Sequence, residues 1–207
     1  MALPIISVSR SAVPLKNGRL GPCDLVSTFV PGWGHVSLHP RPELAWRVLT
    51  ALAWGELGVH LTVTSPADAY RSFAQQENVF RQRYRTPYDP AICTMESSRM
   101  WGGVRWFKLK RLAPVATPGT SNHGLGIAVD VCIWNGRECV GITTDERVWS
   151  WLKANAISLG WSWELQDEPW HLRHYPGTDR VTQRVTDVDA WLAAVAQPQA
   201  QAVQAAS

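Results

Sequence analysis

Apolar positions along this chain change period several times, and each change marks an element. Behind Pro42, residues Leu44, Ala45, Val48, Leu49 and Leu52 recur at helical spacing until Gly58, which predicts a core helix over 42–57. VHLTVTS (59–65) then alternates as a strand does, and Ser72 to Arg83 reads as a second helix. GIAVDVCIW (126–134) is a further strand, followed by Asn135-Gly136, a two-residue hairpin signal, and RECVGI as its return. Thr143 and Glu146 have capping-box spacing and open a helix through Trp149, Trp151 and Leu152 to about Ser158, stopped by Gly160. A strand near 170–174 and a last helix over 186–196 complete the periodic segments.

Between these elements the pattern lapses. Residues 1–40 carry Pro, Gly and Ser punctuation and read as an extended N-terminal arm, followed by one domain over 41–196. Four prolines, Gly102-Gly103 and several aromatics make 84–119 a long surface loop with a short helix at its centre, the kind of loop that serves as a lid or binding element. QPQAQAVQAAS (197–207) has no packing face and reads as a flexible tail.

Length and composition agree with one soluble globular domain: 207 residues, 45% hydrophobic and 18% charged. Twelve tryptophans stand out, concentrated in Trp33 to Trp54 and Trp149 to Trp170; packing explains them, with glycan stacking as the second reading. The net charge of +3 is mild, and Arg81, Arg83, Arg85, Lys108, Lys110 and Arg111 are interleaved with aromatics, a weak footprint for nucleic acid that attraction to an anionic wall polymer explains at least as well. No apolar run approaches the ~18 residues of a membrane span, and the N-terminus lacks the basic region of a secretory signal. Four cysteines are too scattered for a disulfide scaffold. A two-residue turn at Asn135-Gly136 would set Cys132 opposite Cys139, where either a cross-strand disulfide or two free thiols can stand.

Candidate chemistry concentrates in SNHGLGIAVD (121–130). With Ile127, Val129, Val131 and Ile133 on one face of the strand, Asp130 faces the other way, where a carboxylate is costly unless it is paired. A divalent metal is such a partner. His123, in a turn that Gly124 and Gly126 let close up, supplies a second ligand, and His171 or His174 from EPWHLRH a third. Three protein ligands leave a fourth position for water, which zinc activates at neutral pH. Amide hydrolysis also needs a base, for which Glu168 is the natural candidate, with Asp167 and Glu164 as alternatives.

These residues resemble the zinc D-Ala-D-Ala carboxypeptidase family, which includes D,D-dipeptidases and the L-alanyl-D-glutamate endopeptidases of phage lysins. SNHGLGIAVD matches every specified position of that family's Ser-x-His-x-x-Gly-x-Ala-x-Asp, and Glu168-Pro-Trp170-His171 matches its Glu-x-Trp-His. AYRSFAQQ supplies the family's Tyr-Arg-Ser and following Gln, as Tyr70, Arg71, Ser72 and Gln75 or Gln76. The resemblance implies an α+β domain, a small antiparallel sheet with helices on one side. It implies His123, Asp130 and His171 as zinc ligands, Glu168 as general base and Arg71 as the cation that steadies the substrate carbonyl. Ser121, Tyr70 and Gln75 would bind substrate. The implied substrate is the peptidoglycan stem peptide, cut as a D,D-carboxypeptidase or as an L-Ala-D-Glu endopeptidase, and the missing export signal suggests a phage lysin or a virion-borne enzyme. The rival reading is a zinc-containing wall-binding or virion module of the same fold without turnover. Pro66 to Ala69 look inserted before Tyr70 relative to the family, and the 84–119 segment is long for it.

Overall fold

The structure is a computed structural model that describes residues 2–6 and 16–175. Its centre is an antiparallel sheet built around one strand, β7 (Ala128–Trp134). Along one edge of β7 runs β3 (His60–Val63), with Val63 opposite Val131. The other edge is shared: β10 (His171–His174) pairs with its first half, placing His171 opposite Asp130, and β8 (Cys139–Gly141) with its second. The strand β9 (Trp161–Trp163) closes the sheet beyond β10.

The period-two pattern of β7 divides as expected. Val129, Val131 and Ile133 enter the main core with Leu61, Val63 and Leu172, while Asp130 lies on the opposite face. Two helices cover the core face. The first, α1 (Pro40–Leu57), starts two residues before the predicted position because Pro40 as well as Pro42 is compatible with a first turn, and it ends at Gly58, whose φ of 67° forms a left-handed cap. It buries Ala45, Trp46, Val48 and Leu49, with Trp46 meeting Trp161 edge-on at 6.2 Å. The other covering helix is α3 (Glu146–Asn155), which contributes Val148 and Leu152.

Several expectations are corrected. Residues 26–38 of the supposed arm form a hairpin, β1 (Val26–Val30) and β2 (Gly34–Leu38), that buries Val30, Val36 and Leu38. The supposed loop 84–119 is instead largely a second sheet, β4 (Tyr84–Arg85), β5 (Cys93–Trp101) and β6 (Val104–Leu109), in the order β4-β6-β5. Its prolines lie between and after the strands, and Gly102-Gly103, with φ of 60° and 75°, make the tight turn from β5 to β6. This sheet packs on α2 (Phe73–Arg83), where Phe80 stacks on Tyr84 at 4.5 Å and meets Trp101 and Trp106 edge-on.

Two turns also differ. The turn after β7 spans Asn135 to Glu138, because the Asn135 side-chain oxygen accepts from the N–H groups of Arg137 and Glu138, and Trp134 therefore pairs with Cys139. Cys132 then lies opposite Gly141, and both cysteines are free thiols. The cap of α3 is Asp145, which accepts from the N–H of Arg147 and Val148, while Thr143 and Thr144 sit in a 3-10 turn. The predicted helix over 186–196 and the tail lie outside the described residues. Among the described residues no helix is long and apolar enough to cross a membrane.

The tryptophans divide between packing and surface. Trp46, Trp161 and Trp163 are fully buried, whereas Trp33, Trp54 and Trp170 are exposed. Trp46→Ala is expected to lower unfolding free energy by about 3–5 kcal/mol and Trp54→Ala by less than about 1 kcal/mol, measured by urea denaturation with unchanged slope.

Candidate metal centre

The loop that delivers His123 is a 3-10 turn, Asn122–Leu125, closed by Gly126 in the left-handed region at φ 63°. A Cβ on Gly126 would lie 2.8 Å from the His39 backbone nitrogen, which donates to the Gly126 carbonyl at 2.9 Å. Gly124 is pressed from the other side by residues 17 and 18: the Gly18 N–H donates to its carbonyl, and the Asn17 side-chain amide donates to the Ser121 carbonyl at 2.7 Å. Both glycines are therefore required by close backbone approach, and the His123 imidazole is held buried beside β7.

Three donors converge there. The Asp130 Oδ1 lies 2.8 Å from His171 Nδ1 and 3.4 Å from His123 Nε2, and the ligand atoms of the three residues all lie within 4.8 Å of one another. Donors bonded at ~2 Å in a tetrahedral zinc site stand about 3.3 Å apart, so small side-chain adjustments suffice. The outer nitrogens are also assigned. His123 Nδ1 donates to the Ala69 carbonyl at 3.1 Å, and His171 Nε2 donates to Glu164 Oε2 at 2.8 Å. Each imidazole thus turns its remaining nitrogen toward Asp130, the arrangement in which a carbonyl or carboxylate behind a histidine fixes its tautomer for a metal. Glu164 is itself held by the Asn122 amide at 2.8 Å and by Arg173 at 3.3 Å. Two imidazoles and one carboxylate, each braced from behind, form a donor set suited to zinc.

Electrostatics match this geometry. Burial would raise the Asp130 pKa, but hydrogen bonds from His123 and His171 hold it well below the usual carboxylate range. Burial would lower the His171 pKa, yet its bonds to Asp130 and Glu164 prevail and lift it to about 9.

The remaining candidates are distributed as follows. Glu168 is half-buried in the turn before β10; its carbonyl accepts from the His171 N–H at 3.0 Å, and its carboxylate makes no hydrogen bond to a described residue. Burial raises its pKa, with His171 and His123 opposing and Asp130 and Asp167 adding to the rise. Arg71 is joined to the metal loop through its backbone, its N–H donating to the His123 carbonyl at 3.1 Å. Its guanidinium donates to the Ala67 carbonyl, to Gln76 Oε1 and to Asp68, leaving two of five N–H groups without an acceptor among the described residues. The Pro66–Asp68 turn that looked like an insertion thus supplies the carboxylate that orients Arg71.

Ser121 is buried at the head of the 3-10 turn, and its side chain does not cap it. The Tyr70 hydroxyl accepts from the Leu20 N–H at 3.1 Å. Gln75 is exposed and completes the capping box of α2 with Ser72, whereas Gln76 is buried between Arg71 and the Ala116 carbonyl. His174 points to the face opposite His171, edge-on to Trp161 at 5.7 Å, and burial with the nearby Arg41 and His39 lowers its pKa to about 4. Among the described residues, it is absent from the convergent metal-ligating group. Asn17, Asp68, Asn122 and, as an orienting group, Glu164 escaped the reading of the sequence, which had left Gln76 open beside Gln75. Of the residues missed, only Asn122, inside the SNHG motif, had a local signal.

Fold and centre together define a metallopeptidase-type site on a mixed α/β scaffold. The family model "VanY: D-alanyl-D-alanine carboxypeptidase" matches residues 36–177, and the chain belongs to this family of peptidoglycan peptidases. Similar solved structures include "VanYB in complex with D-Alanine-D-Alanine", at 20% identity and TM-score 0.48 over 82% of this chain and 88% of that one. A vancomycin-resistance D,D-pentapeptidase VanY mutant in complex with Zn(II) has 20% identity and TM-score 0.47, over 82% of this chain and 90% of that one. An L,D-carboxypeptidase DacB from Streptococcus pneumonia has 17% identity and TM-score 0.41, over 77% of this chain and 74% of that one. No curated protein matches the chain.

The raised His171 pKa contributes stability to the metal-free protein that is complete below the unfolded value of 6.5 and disappears as pH rises through about 9. A metal at Nδ1 must displace that proton, so zinc affinity is expected to climb between pH 6.5 and 9, and the Tm gain on adding zinc to widen. Calorimetric zinc titration across that range checks it, and affinity independent of pH would contradict it. Removing the brace behind His171 with Glu164→Gln should weaken zinc about 10- to 100-fold.

Proposed function

We propose that the chain is a zinc-dependent D,D-carboxypeptidase that hydrolyses the terminal amide of a peptidoglycan stem peptide ending in D-Ala-D-Ala. The observation that carries this reading is the convergence of His123, Asp130 and His171 with a Glu168 carboxylate that has no hydrogen-bonding partner among the described residues. Membership of the D-alanyl-D-alanine carboxypeptidase family supports the choice of bond over the L-Ala-D-Glu linkage. Bound zinc supplies Lewis acidity beside the scissile carbonyl.

The chain's own residues do the rest. Glu168 accepts the proton of the attacking water and returns it to the departing amine; its half-buried position, which raises its pKa, suits a group that must hold that proton transiently. Arg71 offers its two remaining N–H groups to an oxygen of the substrate, and the fork is kept rigid by Asp68, Gln76 and the Ala67 carbonyl. Buried Ser121 lines the approach beside His123, and Gln76 rather than Gln75 supports the Arg71 end. Tyr70 acts at one remove, pinning residues 18–20 against the loop that carries His123.

The test is D-alanine release from a soluble peptide ending in D-Ala-D-Ala, with mass analysis of fragments from purified peptidoglycan. Wild type should release D-alanine, and Glu168→Ala should keep its zinc and lose about 10²- to 10⁴-fold in kcat. Zinc binding with no hydrolysis by wild type would leave a wall-binding module, and fragments ending at L-Ala would make the enzyme an endopeptidase. Arg71→Lys retains the charge but not the fork, so it should lower kcat/KM about tenfold or more with zinc content unchanged.

A further inference from the structure

The β4-β6-β5 sheet takes no part in the metal centre, yet it concentrates an unusual surface. From Arg81 to Leu112 there are eight Lys and Arg against two acids, a net +6 within a chain of net +3, so the rest of the protein is net acidic. Six exposed large apolar side chains, among them Met95, Met100 and Val104, fall in the same stretch.

Register shows how this surface is presented. Paired residues share a face and successive residues alternate. Tyr84, Trp101 and Trp106 turn toward α2 and are gripped there by Phe80, with the Arg81 guanidinium over both indoles at 5.0 and 5.2 Å. Met100 and its partner Arg105 turn away from α2, whereas Val104, paired with Trp101, and Arg99, paired with Trp106, lie on the α2 side, so each face of the tip carries one exposed apolar side chain and one exposed arginine. The tip of the β5–β6 hairpin therefore reads Arg99-Met100-Trp101-Gly102-Gly103-Val104-Arg105: an apolar end, with Met100 58% and Val104 46% exposed, inside a collar of two exposed arginines. Glu96 is the acid on this hairpin, set back from the tip beyond the irregular pairing between Thr94 and Arg99. Arg85, also exposed, continues the positive charge along the outer face.

We propose that this hairpin tip docks the protein on the surface of an anionic lipid bilayer, with Met100 and Val104 entering the interface and Arg99 and Arg105 at the headgroups. Charge complementarity alone would equally suit a soluble polyanion. Exposed Met and Val gain nothing from such a polymer but are stabilised by leaving water for the acyl boundary, and the combination of apolar tip and cationic collar selects the bilayer. The aromatic grip of Phe80 and Arg81 holds the tip in place before contact, so little ordering is lost on docking. The inference goes beyond the peptidase reading and does not rest on it.

Co-sedimentation of the full chain with vesicles tests it, using phosphatidylcholine alone and phosphatidylcholine with phosphatidylglycerol, at low and high salt. The expected result is binding to the phosphatidylglycerol vesicles that weakens with salt. Arg99→Gln and Arg105→Gln should each reduce it about fivefold. Met100→Ser with Val104→Ser should reduce it about tenfold or more while leaving Tm, zinc content and hydrolysis of a soluble peptide as in wild type. No vesicle binding, equal binding to neutral vesicles, binding indifferent to all four substitutions, or binding to soluble polyphosphate in place of vesicles would each overturn the proposal. Because soluble-peptide hydrolysis is read separately, failure here and failure of the peptidase reading remain distinguishable.

Discussion

A carboxylate placed in the middle of the central strand is the constraint around which this molecule is organised. Asp130 is mostly buried, and an ion in that position is tolerated only where opposite charge and hydrogen bonds surround it. The sheet supplies both through its pairing. β10 sets His171 directly opposite Asp130, and the turn leading into β7 folds His123 back over the strand. The same alternation that sends Asp130 and His171 to one side sends Val129 and Leu172 into the core. Core packing and site geometry are thus set by one register, and a slip of one residue would lose both.

Around that axis a second tier of contacts holds the ligands without touching the metal position. Ala69 and Glu164 hold the outer nitrogens of the two histidines, and Asn122 and Arg173 hold Glu164. Residues 17 and 18, far from the loop in sequence, clamp Gly124 and Ser121, and the start of α2 donates the Phe73 N–H to the Gly18 carbonyl. Arg71 belongs to the same network through the His123 carbonyl. A ligand loop tied down at this many points keeps its donors converged before any cation arrives, and such preorganisation favours tight metal binding. Glu168 contrasts with them: its backbone is fixed through the His171 N–H, while its carboxylate makes no hydrogen bond to a described residue, which suits the proton exchange proposed for it.

Local pattern determined a good deal of this. The helices at 42–57 and 72–83, the strands around Val63, Val131 and Leu172, and the face on which Asp130 lies follow from spacing and stop residues, because those signals act over a few residues of chain. The family motifs likewise mark His123, Asp130 and His171, and the structure brings these three together. Tertiary structure decided what no local signal carries. His174 was separated from His171 by strand alternation once β10 had a partner, and Glu164 became the brace behind His171 because β9 and β10 are neighbours in the sheet. The 84–119 segment became a sheet since its aromatic residues find Phe80 on α2, a contact invisible to composition. The choice between Gln75 and Gln76 was made by which side of α2 faces Arg71 and the Ala116 carbonyl. Short-range spacing thus identified the chemistry, while the partners that orient it were fixed only by long-range pairing of strands and packing of helices, whose energies depend on residues far apart in the chain.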